Sequence, residues 1–547
     1  MTKFQLYWHT LKYLKPIQFY GRLWFKFYRP EPSFSAPPNL RKNEQQKWVM
    51  PARRKKSLIE SQAFLFLNEN HLLSEIGWDN PAIEKLWRYN QHYFDDLNAV
   101  DANSRKIWHE ALLKDWLKHN PPTKGSGWEP YPTSLRIVNW IKWALNDNAL
   151  SQSCLQSLAI QARWLKNRLE IHLLGNHLFS NAKALVFAGI FFEGEEAESW
   201  FLTGMNIIKK ELEEQVLADG GHFERSTMYH TLILEDILDL TNLNQTYEKF
   251  INSAWYGHMH QWREHVVPML TWLENMCHPD GDIGFFNDAA LGVAPSATEI
   301  KEYASRLSFE SHEALQKLTY FPQSGYVRLQ TKDAVALIDI ADIGPDYLPG
   351  HAHADTLSFE FSLFDARVLV NTGTSCYGLS SQRTYERSTA AHNTVVLNGE
   401  NSSEVWAGFR VARRAYPVKI KMIEEENNLI IEAAHTGYHR LKNQPTPIRI
   451  WNLSESALVI DDRIEGLPQD AKAYFHFHPQ VQIVPQSHHA WQLRFCDKTA
   501  VFTVLLGNVQ LQPGYYSPEF GVRVENQCFV IELVEGKSKV VLSWAAS

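Results

Sequence analysis

Cysteine is scarce in this sequence: Cys154, Cys277, Cys376, Cys496 and Cys528 are odd in number, far apart and never in a C-x-x-C pair. That excludes a disulfide framework and a zinc ribbon, and fits a reducing compartment. Long apolar runs are absent, so no segment reads as a membrane span. The opening MTKFQLYWHTLKYLKPIQFYGRLWFKFYRP lacks an unbroken apolar core and a small-residue cleavage site, so it does not read as a secretory signal. The location expected on that ground is cytoplasmic, or peripheral to an inner membrane. Excess positive charge is also missing: 54 basic residues face 61 acidic ones, a net charge of -7 that supplies no global field for nucleic acid. A polyanion would have to be met by a local basic cleft. There is no strict internal repeat and no low-complexity run.

What is present is a chain of 547 residues, too long for one compact core and ordinary in composition, so two large domains are expected. Aromatic residues are abundant, and Trp78, Trp87, Trp108, Trp116, Trp128, Trp140, Trp143 and Trp164 crowd the first third. Flat rings suit sugar faces, but tryptophan also fills helical cores, and the core reading comes first. Lys3, Lys12, Lys15, Arg22, Lys26 and Arg29 occur with no acid before Glu31, while Phe4, Tyr7, Leu11 and Leu14 recur at helical spacing. Such a stripe either packs on the body of the protein, the reading taken first, or lies on an anionic membrane surface.

Pro30, Pro32, Pro37, Pro38 and Pro51 mark an extended connector, which closes a first segment at residues 1–54. Residues 55–322 carry helical periodicity, as in Leu155, Leu158, Ala162, Leu165 and Leu169, and read as stacked helical hairpins. Near Phe321-Pro322-Gln323-Ser324-Gly325 the period changes to two, and residues 323–547 read as an antiparallel β-sandwich.

Three stretches concentrate polar chemistry. Gly175-Asn176-His177, followed by Ser180, Asn181 and Lys183, sets an amide and an imidazole side by side, able to bind a carboxylate or simply to cap a helix. Asp219 to His230 opens as a turn and runs into a helix, with Glu224, Arg225, Tyr229 and His230 in it. Tyr229 can act as an acid as it stands, and as a base only where nearby positive charge, for which Arg225 is the candidate, lowers its pKa. The third stretch, Gly350-His351-Ala352-His353-Ala354-Asp355, precedes a strand and is followed by Asn371 and by Ala391-His392-Asn393-Thr394. Its H-x-H spacing suits metal ligation. It also resembles the metallo-β-lactamase signature, but Thr356 occupies the last position and the alternating strand–helix context of that fold is missing.

Together, N-H-x3-N at 176–181, D-G-x-x-x-E-R-S-x-x-Y-H ending at His230, G-H-x-H-A-D at 350–355 and A-H-N-T at 391–394 resemble the heparinase II/III-like polysaccharide lyases. The resemblance implies a bacterial protein with an incomplete (α/α) toroid followed by an antiparallel β-sandwich, and β-elimination on an anionic, uronate-containing polysaccharide. By similarity, Asn176 and His177 neutralise the uronate carboxylate, Tyr229 protonates the leaving oxygen and His351 abstracts the C5 proton, with Tyr229 able to do both if C5 and O4 share a side. Glu224, Arg225, His230, Trp128, Tyr131, Tyr377, Arg383 and Arg387 are the candidates for substrate contact, with Arg136 beside them. A structural zinc would be held by His353, Asn371 and His392, although Asn replaces a carboxylate there and weakens the set, with Asp355 as the substitute. His476 and His478 share a strand face and are read as structural. Two other readings are carried: a toroid glycoside hydrolase with Glu224 paired to Asp282 or Asp288, and a non-catalytic glycan-binding or surface-polysaccharide assembly protein.

Overall fold

The computed structural model describes residues 3–42, 48–250, 253–310, 315–466 and 470–546. The basic N-terminal segment forms two helices, α1 (Lys3–Leu11) and α2 (Pro16–Phe27), because Pro16 starts the second at its first turn. Residues 1–2 and 43–47 of that segment lie outside the described residues. The packing reading holds for one side only. Tyr7 stacks edge-on against Trp406 at 5.0 Å, whereas Phe4 and Leu11 of the same stripe are exposed.

The span read as helical from residue 55 opens instead with a three-stranded antiparallel sheet, β1 (Leu58–Glu60), β2 (Ala63–Phe66) and β3 (Glu69–Leu72). Leu67 and Asn68 turn the β2–β3 hairpin with positive φ. The toroid follows: α3 (Leu73–Ile76), α4 (Lys85–Tyr93), α5 (Lys106–His119), α6 (Pro130–Leu145), α7 (Gln152–Lys166), α8 (Gly175–Phe191), α9 (Glu195–Gln215), α10 (Thr227–Thr246), α11 (Ser253–Asn275) and α12 (Ala297–Arg306). Serines cap three of them: Ser151, Ser226 and Ser296 accept backbone N–H groups at the starts of α7, α10 and α12. Helix α8 is apolar nearly all round and correspondingly buried. It meets α9 through Gly189 and Gly204, where a Cβ would fall 2.5 Å and 2.6 Å from the partner helix's backbone. Trp87, Trp116, Trp140 and Trp200 are fully buried, so the aromatic crowding of this region is core.

The sandwich begins at β4 (Leu318–Phe321), slightly before the change of period, and continues through β5 (Tyr326–Gln330), β6 (Ala334–Asp339), β7 (Phe359–Leu363) and β8 (Ala366–Leu369) as a five-stranded meander. A bridge from Leu369 to Phe477 joins it to a four-stranded sheet of Asn508–Tyr516, Val524–Glu532, Ala471–His476 and Val395–Leu397. Together they cover an eight-stranded sheet running from Pro417–Glu424 to Gln482–Pro485. Thr446–Leu453 alternates buried and half-buried positions along its whole length, as a sandwich strand must. Residues 276–290 lie between the modules and are tied to both. His278 contacts Ser362 Oγ and Glu360 Oε2 at 2.8 Å each, and Arg367 pairs with Asp280 at 2.6 Å.

Candidate active site

The site lies where the ends of α8 and α10 face the sandwich loop before β7. Three non-glycine residues with positive φ, Leu174, Arg225 and Asn287, stand just ahead of the polar segments that build it. Leu174, at φ 63° and ψ -163°, occupies a region almost reserved for glycine, and this aims the following Gly175-Asn176-His177 at the cleft. Gly175 has positive φ itself, and a Cβ there would fall 2.4 Å from the Leu348 side chain of the sandwich loop, which would have to move.

His351 is the centre of the arrangement. Its Nδ1 lies 2.9 Å from Asp288 Oδ2, and its Nε2 faces Glu224 Oε2 at 3.7 Å. Asp288 is fully buried. Burial opposes its charge, but the Arg383 guanidinium beside it and hydrogen bonds from His351 and His353 hold it well below the usual carboxylate range. An ionised Asp288 can only accept, so Nδ1 of His351 carries the proton and Nε2 presents a lone pair to the cleft. The ring of Tyr229 lies 3.9 Å from that of His351, and its hydroxyl is 3.0 Å from the hydroxyl of Tyr377. Burial, then Tyr377 and Asp288, push the Tyr229 phenol well above its ordinary pKa, so it holds its proton and is suited to donate it.

Across the mouth, Asn176 Nδ2 donates to the Tyr131 hydroxyl at 3.3 Å, and His177 stacks on Tyr131 with ring centres 4.5 Å apart. Burial disfavours the charge of His177, but Glu170, whose Oε2 lies 3.2 Å from Nδ1, outweighs it and raises the pKa. Glu224 is buried, and burial raises its pKa against the opposing pull of His351 and His177. Asn176, His177, Tyr131, Glu224, Tyr229, His351 and Tyr377 therefore meet at one cleft.

Other candidates lie elsewhere. Trp128 is buried on Trp116 and donates to the Asn120 carbonyl, and Arg136 is buried with its guanidinium on Gln161 and the Gly127 carbonyl; both are core groups. His230 is buried on Trp272, bonded to the Met269 carbonyl and pushed down to about 3 by burial. Arg387 is spent on the Ala352 carbonyl, where it pins the His351 loop from behind. Arg383 is fully buried, paired with Asp288 and lying against the rings of Tyr377 and Phe409. Arg225 points to the Gln323 carbonyl and towards Asp342, and it is absent from the groups that shift Tyr229, so the idea that it lowers that phenol's pKa fails. His476 contacts the Ala390 carbonyl and His478 the Tyr516 ring, away from the cleft, but they do not share a strand face, because the strand Ala471–His476 ends before His478. What the sequence reading missed is the orienting role of Asp288, weighed there only as a hydrolase acid, and the aromatic wall of Phe409, which no motif marks.

The implied zinc fits only in part. His353 donates from Nε2 to Asp288 and His392 from Nδ1 to the Ser388 carbonyl, so the lone pairs of His353 Nδ1 and His392 Nε2 converge at 3.1 Å. Asn371 adds no free donor atom: its Nδ2 serves the Phe285 carbonyl and its Oδ1 takes the Asn393 N–H. Asp355 instead accepts the Asn287 N–H. Among the described residues no third His, Cys, Asp or Glu completes the set, so these residues do not form the expected zinc site.

Fold and cleft define a two-module protein, a helical toroid followed by a β-sandwich, with a His–Asp pair and a tyrosine at the seam. Residues 75–316 match the heparinase II/III N-terminus and residues 313–545 the heparinase II/III-like C-terminal domain, and the chain belongs to that family. It is similar to a heparin-sulfate lyase of Bacteroides stercoris, 25% identical over 451 residues that cover 71% of this chain and 63% of the relative. It is also similar to one of Pedobacter heparinus, 24% identical over 52% of this chain and 47% of the relative. The chain thus spans less than two thirds of the length of either. Among solved structures, heparinase III superposes with a TM-score of 0.67 at 18% identity, covering 84% of this chain and 77% of that one. The heparan sulfate lyase HepC of Pedobacter heparinus gives 0.58 at 17%, covering 97% and 88%. At these identities the structural likeness is one of fold.

Proposed function

We propose that this protein is a polysaccharide lyase that opens a uronic-acid-containing glycan by β-elimination. The observation that carries the reading is the stacking of Tyr229 on a His351 whose tautomer Asp288 sets, with Asn176 and His177 at the same mouth. The C5 proton of a uronate is weakly acidic beside a carboxylate anion. Asn176 and a protonated His177 neutralise that carboxylate and stabilise the charge that builds on it. His351 Nε2 takes the C5 proton, the electron pair forms the C4–C5 double bond, the C4–O4 bond breaks, and Tyr229 gives O4 its proton. With its phenol held protonated, Tyr229 serves as acid and leaves the base role to His351.

The hydrolase reading lacks a second free carboxylate. Asp288 is saturated by Arg383, His351 and His353, and the charged neighbours of Asp282 are Arg367, Asp280, Lys55 and Glu519, none of them a cleft group. The relatives are named for heparin-sulfate cleavage, which makes heparan sulfate the first polymer to assay. With Arg383 and Arg387 both spent on the protein itself, the cleft recognises carboxylate better than sulfate, and a sparsely sulfated polymer should be preferred. The test is ultraviolet absorbance during incubation with uronate polysaccharides differing in sulfation. An unsaturated-uronate chromophore should appear with wild type and fall at least about a hundredfold in Tyr229→Phe. New reducing ends without that chromophore would sink the lyase reading.

A further inference from the structure

The two N-terminal helices present an apolar face that is exposed among the described residues. On α1, Phe4, Trp8 and Leu11 recur at i, i+4 and i+7 and are exposed. On α2, Phe19, Tyr20, Leu23, Trp24 and Phe27 form one helical face, and all five are exposed, Phe27 by 74%. Single exposed apolar residues are commonplace; eight on two adjacent helices are not. The opposite sides hold the helices in place. Gln18 and Gly21 are buried on the body, where a Cβ at Gly21 would sit 3.0 Å from that of His172. Phe25 packs between His172 and the Arg168 guanidinium, 4.4 Å and 3.5 Å away. Tyr7 and Thr10 grip Trp406, and Arg414 lies 3.7 Å over Tyr13. Residues of both modules therefore fix the outward direction of the aromatic face.

We infer that this face docks the protein peripherally on an anionic lipid bilayer. Charge selects that occupant over an apolar protein partner: Lys3, Lys12, Lys15, Arg22, Lys26 and Arg29 accompany the aromatic residues with no acid among residues 1–30. Lys15 is tied to Glu214, which leaves five cations to meet lipid headgroups. Tryptophan and tyrosine sit well at headgroup depth, where an apolar ring and a polar N–H or O–H are both satisfied. Helices of 9 and 12 residues are too short to cross a bilayer and suited to lie on it, and no helix among the described residues is long and apolar enough to cross. The turn between them and the start of α2 also reach the cleft loop: Lys15 lies over the Tyr347 ring, and Gln18 donates to the Tyr347 carbonyl, four residues before His351. Docking would thus hold the cleft loop close to a glycan presented at the membrane surface. The inference stands independently of the lyase reading.

The experiment is sedimentation of the protein with vesicles of phosphatidylcholine alone, or of phosphatidylcholine with phosphatidylglycerol. Binding is expected on the anionic vesicles, with a blue shift of tryptophan fluorescence, and should weaken with added salt. The triple variant Leu23→Ser, Trp24→Ser, Phe27→Ser should lose at least about tenfold in affinity, and each of Arg22→Gln and Lys26→Gln about fivefold. All of these side chains lie outside the cleft machinery, so activity on a soluble substrate should not change. Absence of binding to anionic vesicles at low ionic strength would overturn the proposal. So would binding that the triple variant leaves intact, or self-association through this face without vesicle binding.

Discussion

In the proposed elimination His351 can serve as the base only while its Nδ1 proton is held, and Asp288, 2.9 Å away, is placed to hold it. Replacing that acceptor by an amide, Asp288→Asn, leaves Arg383 buried without its counter-charge. The expected loss is about 3–5 kcal/mol of stability, read in denaturant unfolding, together with about a hundredfold or more in kcat. Glu224 calls for a different outcome. With its pKa raised by burial, it keeps its proton more readily than an ordinary carboxyl and can donate to a substrate carboxylate, a role an amide reproduces. Glu224→Gln should therefore retain kcat within about tenfold, whereas an acid of the hydrolase type would lose nearly all activity. In the proposed mechanism His177 should set the alkaline limit. Its folded-state pKa lies above the ordinary imidazole value, so its charge is fully present below that value and is lost as pH rises through the raised one. KM for a uronate polymer should climb on that limb, and His177→Gln should abolish the climb. That Tyr229, His351, Asn176 and His177 stand out as a group is readable from the sequence because their spacing forms motifs. Trp128, His230 and Arg387 show what spacing leaves open: the residue types that line a sugar cleft also fill a core, and only burial separates the two.

At the scale of elements, the site rests on a strained entry. Leu174 sits in a backbone region that a side chain tolerates poorly, and α8 begins immediately after it. Leu174→Gly should relieve strain worth about 1–3 kcal/mol, partly offset by the freer unfolded chain, and so raise Tm. The same change frees the backbone that aims Asn176 and His177, and kcat/KM should fall; a variant that gained stability without losing activity would remove the positioning role. The converging nitrogens of His353 and His392 lack an anionic third donor, since Asn371 is spent on backbone groups. Asn371→Asp should raise zinc retention after dialysis well above that of the wild type, measured as bound metal and as a Tm shift. Long helices and alternating strands were readable from period alone. The β1–β3 sheet was not, because strands of three and four residues are too short to display a period against the helical pattern that follows.

The two modules are joined through buried polar contacts, and these titrate. Glu360 of β7 accepts from His278 Nε2, from the Phe285 N–H and from the Asn371 N–H at 2.7–2.9 Å. Burial works against its charge, but the His278 contact and Arg367 prevail and lower its pKa, so its stabilising contribution is present above the ordinary carboxylate range and is lost as pH falls through the lowered value. His278 acts in the same direction. Burial depresses its pKa, so below about pH 6.5, the ordinary imidazole value, the unfolded chain takes up a proton that the folded interface refuses, and stability falls with pH. Sequence period separated the modules but said nothing of this seam, because its partners lie 82 residues apart in the chain and carry no shared spacing. In calorimetry at neutral pH the toroid and sandwich should unfold in one transition. Between about pH 6 and pH 4 the transition should move down in temperature and split in two. Glu360→Gln should bring the split to higher pH, since the amide cannot offer the same oxygens to His278 and to both N–H groups as acceptors. A single transition that held its midpoint across that range would show that the modules are joined chiefly by apolar contact.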